Sequence, residues 1–134
     1  MDARHVYNIM IGEDEEIERR AIQLLVRQRL PGARLVSSAT TTTELLVRIH
    51  QAQPHLLILD SRLPGIGLIA TLNLVLSQQP LLKVIILADY GEEMLMRHCI
   101  RYGAFAYLIR PVQPERLLSV LNRAIAVLSN LEAM

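Results

Sequence analysis

The chain has 134 residues, 51% of them hydrophobic, and a formal net charge of +1. That length suits one domain with a substantial core, and the near-neutral balance implies no strong pull toward nucleic acid or a membrane surface. A lone cysteine, Cys99, excludes a disulfide framework and a zinc pattern, and no apolar stretch approaches the ~20 residues of a membrane helix.

Strands and helices alternate along the chain. Tyr7 to Ile11 reads as a first strand, followed by the acidic run Gly12-Glu13-Asp14-Glu15-Glu16. A helix is expected from about Glu15 to Leu30, with Ile17, Ala21, Leu24 and Leu25 on one apolar face and arginines down the exposed side. Pro31-Gly32 stops it. A short strand, Arg34 to Ser37, comes next. Thr40 to Thr43 offer a cap for a helix that places Leu45, Leu46 and Ile49 on one face and ends at Gln53-Pro54.

The apolar run Leu56-Leu57-Ile58-Leu59 ends at Asp60 and the loop Ser61-Arg62-Leu63-Pro64-Gly65, and reads as a buried parallel strand. The following helix, Leu68 to Gln79, carries no charge, which makes it a candidate partner or dimer face. Lys83 to Leu87 is a fourth strand. A helix from about Glu92 to Tyr102 is closed by Gly103. Ala106 to Ile109 is a fifth strand, ending at Arg110-Pro111. The last helix begins near Pro114 and sets Leu117, Leu118, Leu121, Ile125 and Leu128 at helical spacing.

Five β/α units without an internal linker imply a single α/β domain over residues 1–134, its core spanning about 7–128. The expected architecture is a doubly wound, five-stranded parallel sheet in the flavodoxin-like order 2-1-3-4-5, helices on both faces. Its switch point lies between the first and third strands, which end at Glu13-Asp14 and at Asp60.

Clustered carboxylates repel one another unless a cation intervenes, and oxygen ligands favour a hard cation such as Mg²⁺. Asp14 and Asp60 are the expected direct ligands. Glu13 would bind directly or through water, and the backbone carbonyl of Arg62 would add an oxygen. Arg110 would balance the charge of a transferred phosphoryl group, or reach into the pocket and partly replace the metal. His5, His50, His55 and His98 show no metal-ligand spacing.

The stretches Ile9 to Glu15, Pro54 to Gly65, Val84 to Ala88 and Gly103 to Val112 together resemble the receiver domain of bacterial two-component response regulators, the CheY-like family. The resemblance covers about Tyr7 to Leu128. It implies that Asp60 accepts a phosphoryl group from a phosphohistidine of a sensor histidine kinase, with Mg²⁺ held by Glu13, Asp14 and Asp60. Arg110 matches the phosphoryl-contacting lysine of the family, Tyr107 its switch aromatic and Pro111 its cis proline. Such a domain catalyses at most its own phosphorylation and dephosphorylation. A homodimer, a reducing cytoplasm and DNA control through an output domain outside these residues are the implied setting. Glu15 to Ala21 and the region of Tyr90 look most like receivers joined to AraC-type output domains.

The chain departs from the family pattern in several places. Ala88 stands where a Ser or Thr hydroxyl normally meets the phosphoryl group, and alanine has no donor. Arg110 replaces lysine, a change of shape as well as of reach. Asp89 replaces a small residue and would either oppose a phosphoryl group or pair with Arg110. The loop after Asp60 lacks an acid before Gly67 and looks one residue short. These departures support a rival reading, a pseudo-receiver that acts as a binding or dimerisation module without phosphorylation. A nucleotide-binding enzyme on the same fold is disfavoured, because no Gly-rich loop follows the first strand.

Overall fold

The computed structural model describes residues 5–133. Strands and helices alternate as β1 (Tyr7–Gly12), α1 (Glu16–Arg29), β2 (Ala33–Ala39), α2 (Thr42–Ala52), β3 (Leu56–Asp60), α3 (Leu68–Gln78), β4 (Lys83–Ala88), α4 (Glu93–Arg101), β5 (Ala106–Ile109) and α5 (Pro114–Ala133). The sheet is parallel throughout, in the order β2-β1-β3-β4-β5. Class, order and element sequence match the expectation.

The central strands are mostly apolar because helices cover both faces of the sheet; β3 is buried at every position. The two-residue period sorts their side chains. Tyr7, Ile9, Ile11, Leu56, Ile58, Ile85, Leu87 and Ala106 pack with residues of α1 and α5 in one layer. Met10, Leu57, Leu59, Val84, Ile86 and Ala88 pack with residues of α2, α3 and α4 in the other, where Cys99 is a small buried apolar side chain. Following the first layer's alternation to and just past the strand ends reaches Glu13, Asp60, Asp89 and Arg110. Four ionisable residues therefore leave the sheet on the same side, toward the first turn of α1.

That turn faces inward differently from the expectation. Ile22 and Val26 are buried and Leu25 is partly so, whereas Ile17 and Leu24 are 79% and 54% exposed and Ala21 is exposed too. The helix carries two apolar stripes, and only one can meet the sheet. Its first turn lies over charged strand ends, where Ile17 would find no apolar partner. The stripe that wins is headed by Glu18, which finds a cation there.

β2 runs to Ala39, beyond its expected end, because Ser37, Ser38 and Ala39 pair with Met10, Ile11 and Gly12. Backbone pairing at a sheet edge overrides the weak strand preference of serine. The uncharged α3 turns Leu72 and Val75 inward, with Leu68, Ile69 and Leu76 packed beside them. Its outer side shows Ala70, Asn73, Ser77 and Gln78, with Leu74 as the one large apolar residue, 41% exposed. The missing charge thus reflects small and amide side chains, and α3 does not present an apolar face.

The loop after β3 is pinned to the start of α2. The Thr42 N–H donates to the Pro64 carbonyl at 2.8 Å, and the Ile66 N–H donates to Thr42 Oγ1 at 3.0 Å. Gly65 lies against that hydroxyl with φ of +139°, so a Cβ there would overlap Thr42 and strain the backbone. Gly65→Ala is therefore expected to lower stability by about 2–3 kcal/mol in chemical denaturation. An unchanged midpoint would show that the loop yields freely.

Candidate functional site

The carboxyl ends of β1, β3, β4 and β5 form one pocket. Glu13 and Asp60 are buried, at 2% and 6% exposure, while Asp14 stands exposed at the rim. Carboxylate oxygens of Glu13, Asp14 and Asp60 lie within 4.8 Å of one another. The sequence-expected trio is thus brought together.

Arg110 occupies the middle of this pocket. Its Nη2 donates to Asp60 Oδ1 at 2.9 Å and to Glu13 Oε2 at 3.2 Å. Its Nε donates to both carboxylate oxygens of Glu18 at 3.0 Å. Its Nη1 donates to the Leu87 carbonyl at 3.2 Å and to Asp89 Oδ1 at 3.4 Å. A planar guanidinium has donors on three nitrogens and can serve all these acceptors at once; a lysine ammonium is a single point of charge.

Glu18 was not among the sequence candidates. Its signal was its place on α1, four residues before Ile22 and eight before Val26, at the head of the buried stripe. A carboxylate on a buried face requires a cation or a hydrogen-bond donor opposite it.

Burial pushes the Glu13 carboxyl from 4.5 up to about 7; the Glu15 N–H resists the rise, the charges of Asp60 and Glu18 add to it, and Arg110 opposes it. Burial works against the charge of Arg110, but the Glu18 hydrogen bond and the Asp60 charge outweigh it, and its pKa stands above the ordinary value. The folded protein thus holds the Glu13 proton more tightly than the unfolded chain does. Stability from this group is full below its ordinary value of 4.5 and is lost as pH rises through about 7. The thermal midpoint is expected to fall between about pH 5 and pH 7.5, and Glu13→Gln to flatten that decline. An identical slope in the variant would place the titration on another group.

The loops after β3 and β4 are tied together beside the pocket. The Arg62 N–H donates to Asp60 Oδ1 at 3.1 Å, and Arg62 Nε meets Asp89 Oδ2 at 2.8 Å. Ser61 Oγ and the Asp89 N–H both donate to Glu92 Oε1, at 2.8 and 2.7 Å. Asp89 thus pairs with Arg62 and Arg110. Ala88 is fully buried in the second core layer and offers only a methyl group. Tyr107 is partly buried against the same layer. The Arg110–Pro111 peptide bond is cis.

An all-oxygen donor set suits a hard cation. Its two buried members are already engaged, however. Glu13 Oε1 accepts the Glu15 N–H at 3.0 Å and Oε2 faces Arg110; Asp60 Oδ1 accepts from Arg110 and Arg62. Asp60 Oδ2 accepts no hydrogen bond from a described residue. Among those residues no buried side-chain polar atom lacks a partner, so this oxygen reaches solvent. Asp60 Oδ2 and the Asp14 carboxylate are the groups left open. The residues therefore fit Mg²⁺ chemically once the guanidinium gives way.

A second cluster joins His5, His55 and Glu132 at the opposite end of the sheet. His55 Nδ1 accepts the Asn8 N–H at 2.9 Å. A neutral His55 then carries its proton on Nε2 and has no lone pair left for a metal. Burial lowers its pKa, which favours that neutral form.

A sequence model described as "Response regulator receiver domain" matches residues 9–122. An uncharacterized transcriptional regulatory protein of Bacillus subtilis, YesN, is 28% identical over 92% of this chain and 33% of its own length. The oxygen regulatory protein NreC of Staphylococcus carnosus is 30% identical over 85% of this chain and 52% of its own. The chain thus spans between a third and about half of these two relatives. A response regulator receiver domain protein from Clostridium thermocellum superposes with a TM-score of 0.85 at 25% identity, covering 94% of this chain and 99% of that one.

Proposed function

This chain belongs to the response regulator receiver domain family, and on that footing we propose that Asp60 accepts a phosphoryl group from the phosphohistidine of a sensor histidine kinase. The observation that carries the reading is the open Oδ2 of Asp60, at the carboxyl end of β3, beside a cation. In the transfer, the Oδ2–P bond forms as the P–N bond to the imidazole breaks, and the electron pair returns to the ring nitrogen. Arg110 lies within reach of the incoming oxygens and would balance their charge. Asp14 and Asp60, the Arg62 carbonyl and Glu13 through water would hold Mg²⁺, which supplies further positive charge to those oxygens.

Self-phosphorylation and its reversal are the only catalysis this reading assigns. The name of YesN supports control of transcription. We assign that control to an output domain outside these residues, with DNA bound there and homodimers as the expected assembly. The cytoplasm is the proposed compartment. No helix among the described residues is long and apolar enough to cross a membrane.

The test is incubation with Mg²⁺ and a small phosphodonor, read by intact mass. A gain of one phosphoryl group is expected. No gain would favour a phosphorylation-independent pseudo-receiver, acting as an interaction or dimerisation module. Two observations favour that second reading: the guanidinium seated on Asp60, and the methyl group of Ala88 where a hydroxyl would meet the phosphoryl group.

A further inference from the structure

We propose that Glu18 is a positioning residue that clamps Arg110 over Asp60 and Glu13 as the pocket's own cation, and that a divalent metal binds only by displacing it. Asp60 has two oxygens. If Oδ2 is to reach phosphorus, a cation must take Oδ1, and Arg110 Nη2 already sits there at 2.9 Å. The same nitrogen holds Glu13 Oε2, the second buried metal donor. Glu18 meets the Nε edge of the guanidinium with both oxygens. The two oxygens share the one Nε–H, and Oε1 also lies 2.9 Å from Nη2, so this charge-assisted contact spans one whole edge of the guanidinium and limits its turning. The Glu18 and Arg110 side chains are 24% and 20% exposed, so water screens the pair only in part. Leu87 and Asp89 hold Nη1, so the guanidinium is fixed at all three nitrogens.

The inference gives the proposed phosphoacceptor site its resting cation, and so rests on that reading for its meaning. Its test does not require phosphorylation. Mn²⁺ binding to the metal-free protein, followed by electron paramagnetic resonance, would be measured in wild type, Glu18→Gln, Arg110→Met and the double variant. If Glu18 were merely one more acid near the site, removing its charge would weaken metal binding. If it is the clamp, Glu18→Gln tightens Mn²⁺ binding about fivefold, the ratio between a charge-assisted and a neutral hydrogen bond. Arg110→Met tightens it further, and adding Glu18→Gln to Arg110→Met gives no additional gain, because the clamp has nothing left to hold. Nitrogen-15 spectra of the arginine side chains give a second readout that needs no metal. The Arg110 Nε–H should exchange slowly in wild type and quickly in Glu18→Gln. Unchanged or weaker Mn²⁺ binding in Glu18→Gln, or an Nε–H that exchanges as slowly there as in wild type, overturns the proposal.

Discussion

Asp60→Asn is expected to take up no phosphoryl group from a donor that labels the wild-type chain. Asparagine keeps the size of the side chain and an oxygen that can accept from Arg110 and from the Arg62 N–H, so the pocket should persist. What it loses is the charge on the attacking oxygen. No neighbouring carboxylate is placed to take over. Both oxygens of Glu13 are engaged, and burial makes the group hold a proton more tightly than an ordinary carboxylate. Asp89 is spanned by Arg62 and Arg110. Asp14 is exposed at the rim and makes no ion pair with a described residue, so no cation steadies it against an incoming phosphoryl group. Intact mass after donor treatment decides the matter. An adduct on Asp60→Asn equal to that on wild type would move the acceptor elsewhere, with Asp14 the first position to examine.

Arg110→Met should be the most destabilising substitution in the pocket. Methionine matches the stem of the side chain but removes every hydrogen bond the guanidinium makes. Glu13, Glu18, Asp60 and Asp89 would then face one another without their shared cation. Removing one partner of a buried ion pair costs about 3–5 kcal/mol, because the charge left behind is neither solvated nor matched. For a domain of this size that is a fall of about 10–20 °C in thermal midpoint. The loss should shrink as pH is lowered toward about 5, where Glu13 takes up its proton and the repulsion eases. Arg110→Lys should recover only part of the stability, since one ammonium cannot serve Glu18, Asp60 and Asp89 together. A methionine variant that melts with wild type at every pH would show that the network is neutral for folding.

Much of this molecule was legible in its order of residues. Alternating apolar runs and amphipathic stretches, with punctuation at Pro31-Gly32, Gln53-Pro54 and Gly103, were enough for five β/α units. Right-handed crossovers then left few topologies, and the acids at the ends of β1 and β3 marked the switch point. Asp60, Glu13, Asp14 and Arg110 could be named because each sits at or just beyond the carboxyl end of a strand, where position in sequence nearly equals position in space.

The partners of those residues depended on packing. The central strands of a sheet covered on both faces are apolar on both sides, so their pattern does not reveal which side chains point toward α1 and α5. Once the sheet forms, the two-residue period sends Glu13, Asp60, Asp89 and Arg110 to the same side. The rotation of α1 was likewise open, with Ile17, Ala21 and Leu24 as plausible a stripe as Ile22, Val26 and Leu30. Only the tertiary structure chose between them, by setting the first turn of α1 over Arg110, where Glu18 is stabilised and Ile17 would bury nothing. A periodic pattern carries spacing but no absolute orientation; that comes from contacts with residues distant in the chain, here 92 positions away between Glu18 and Arg110.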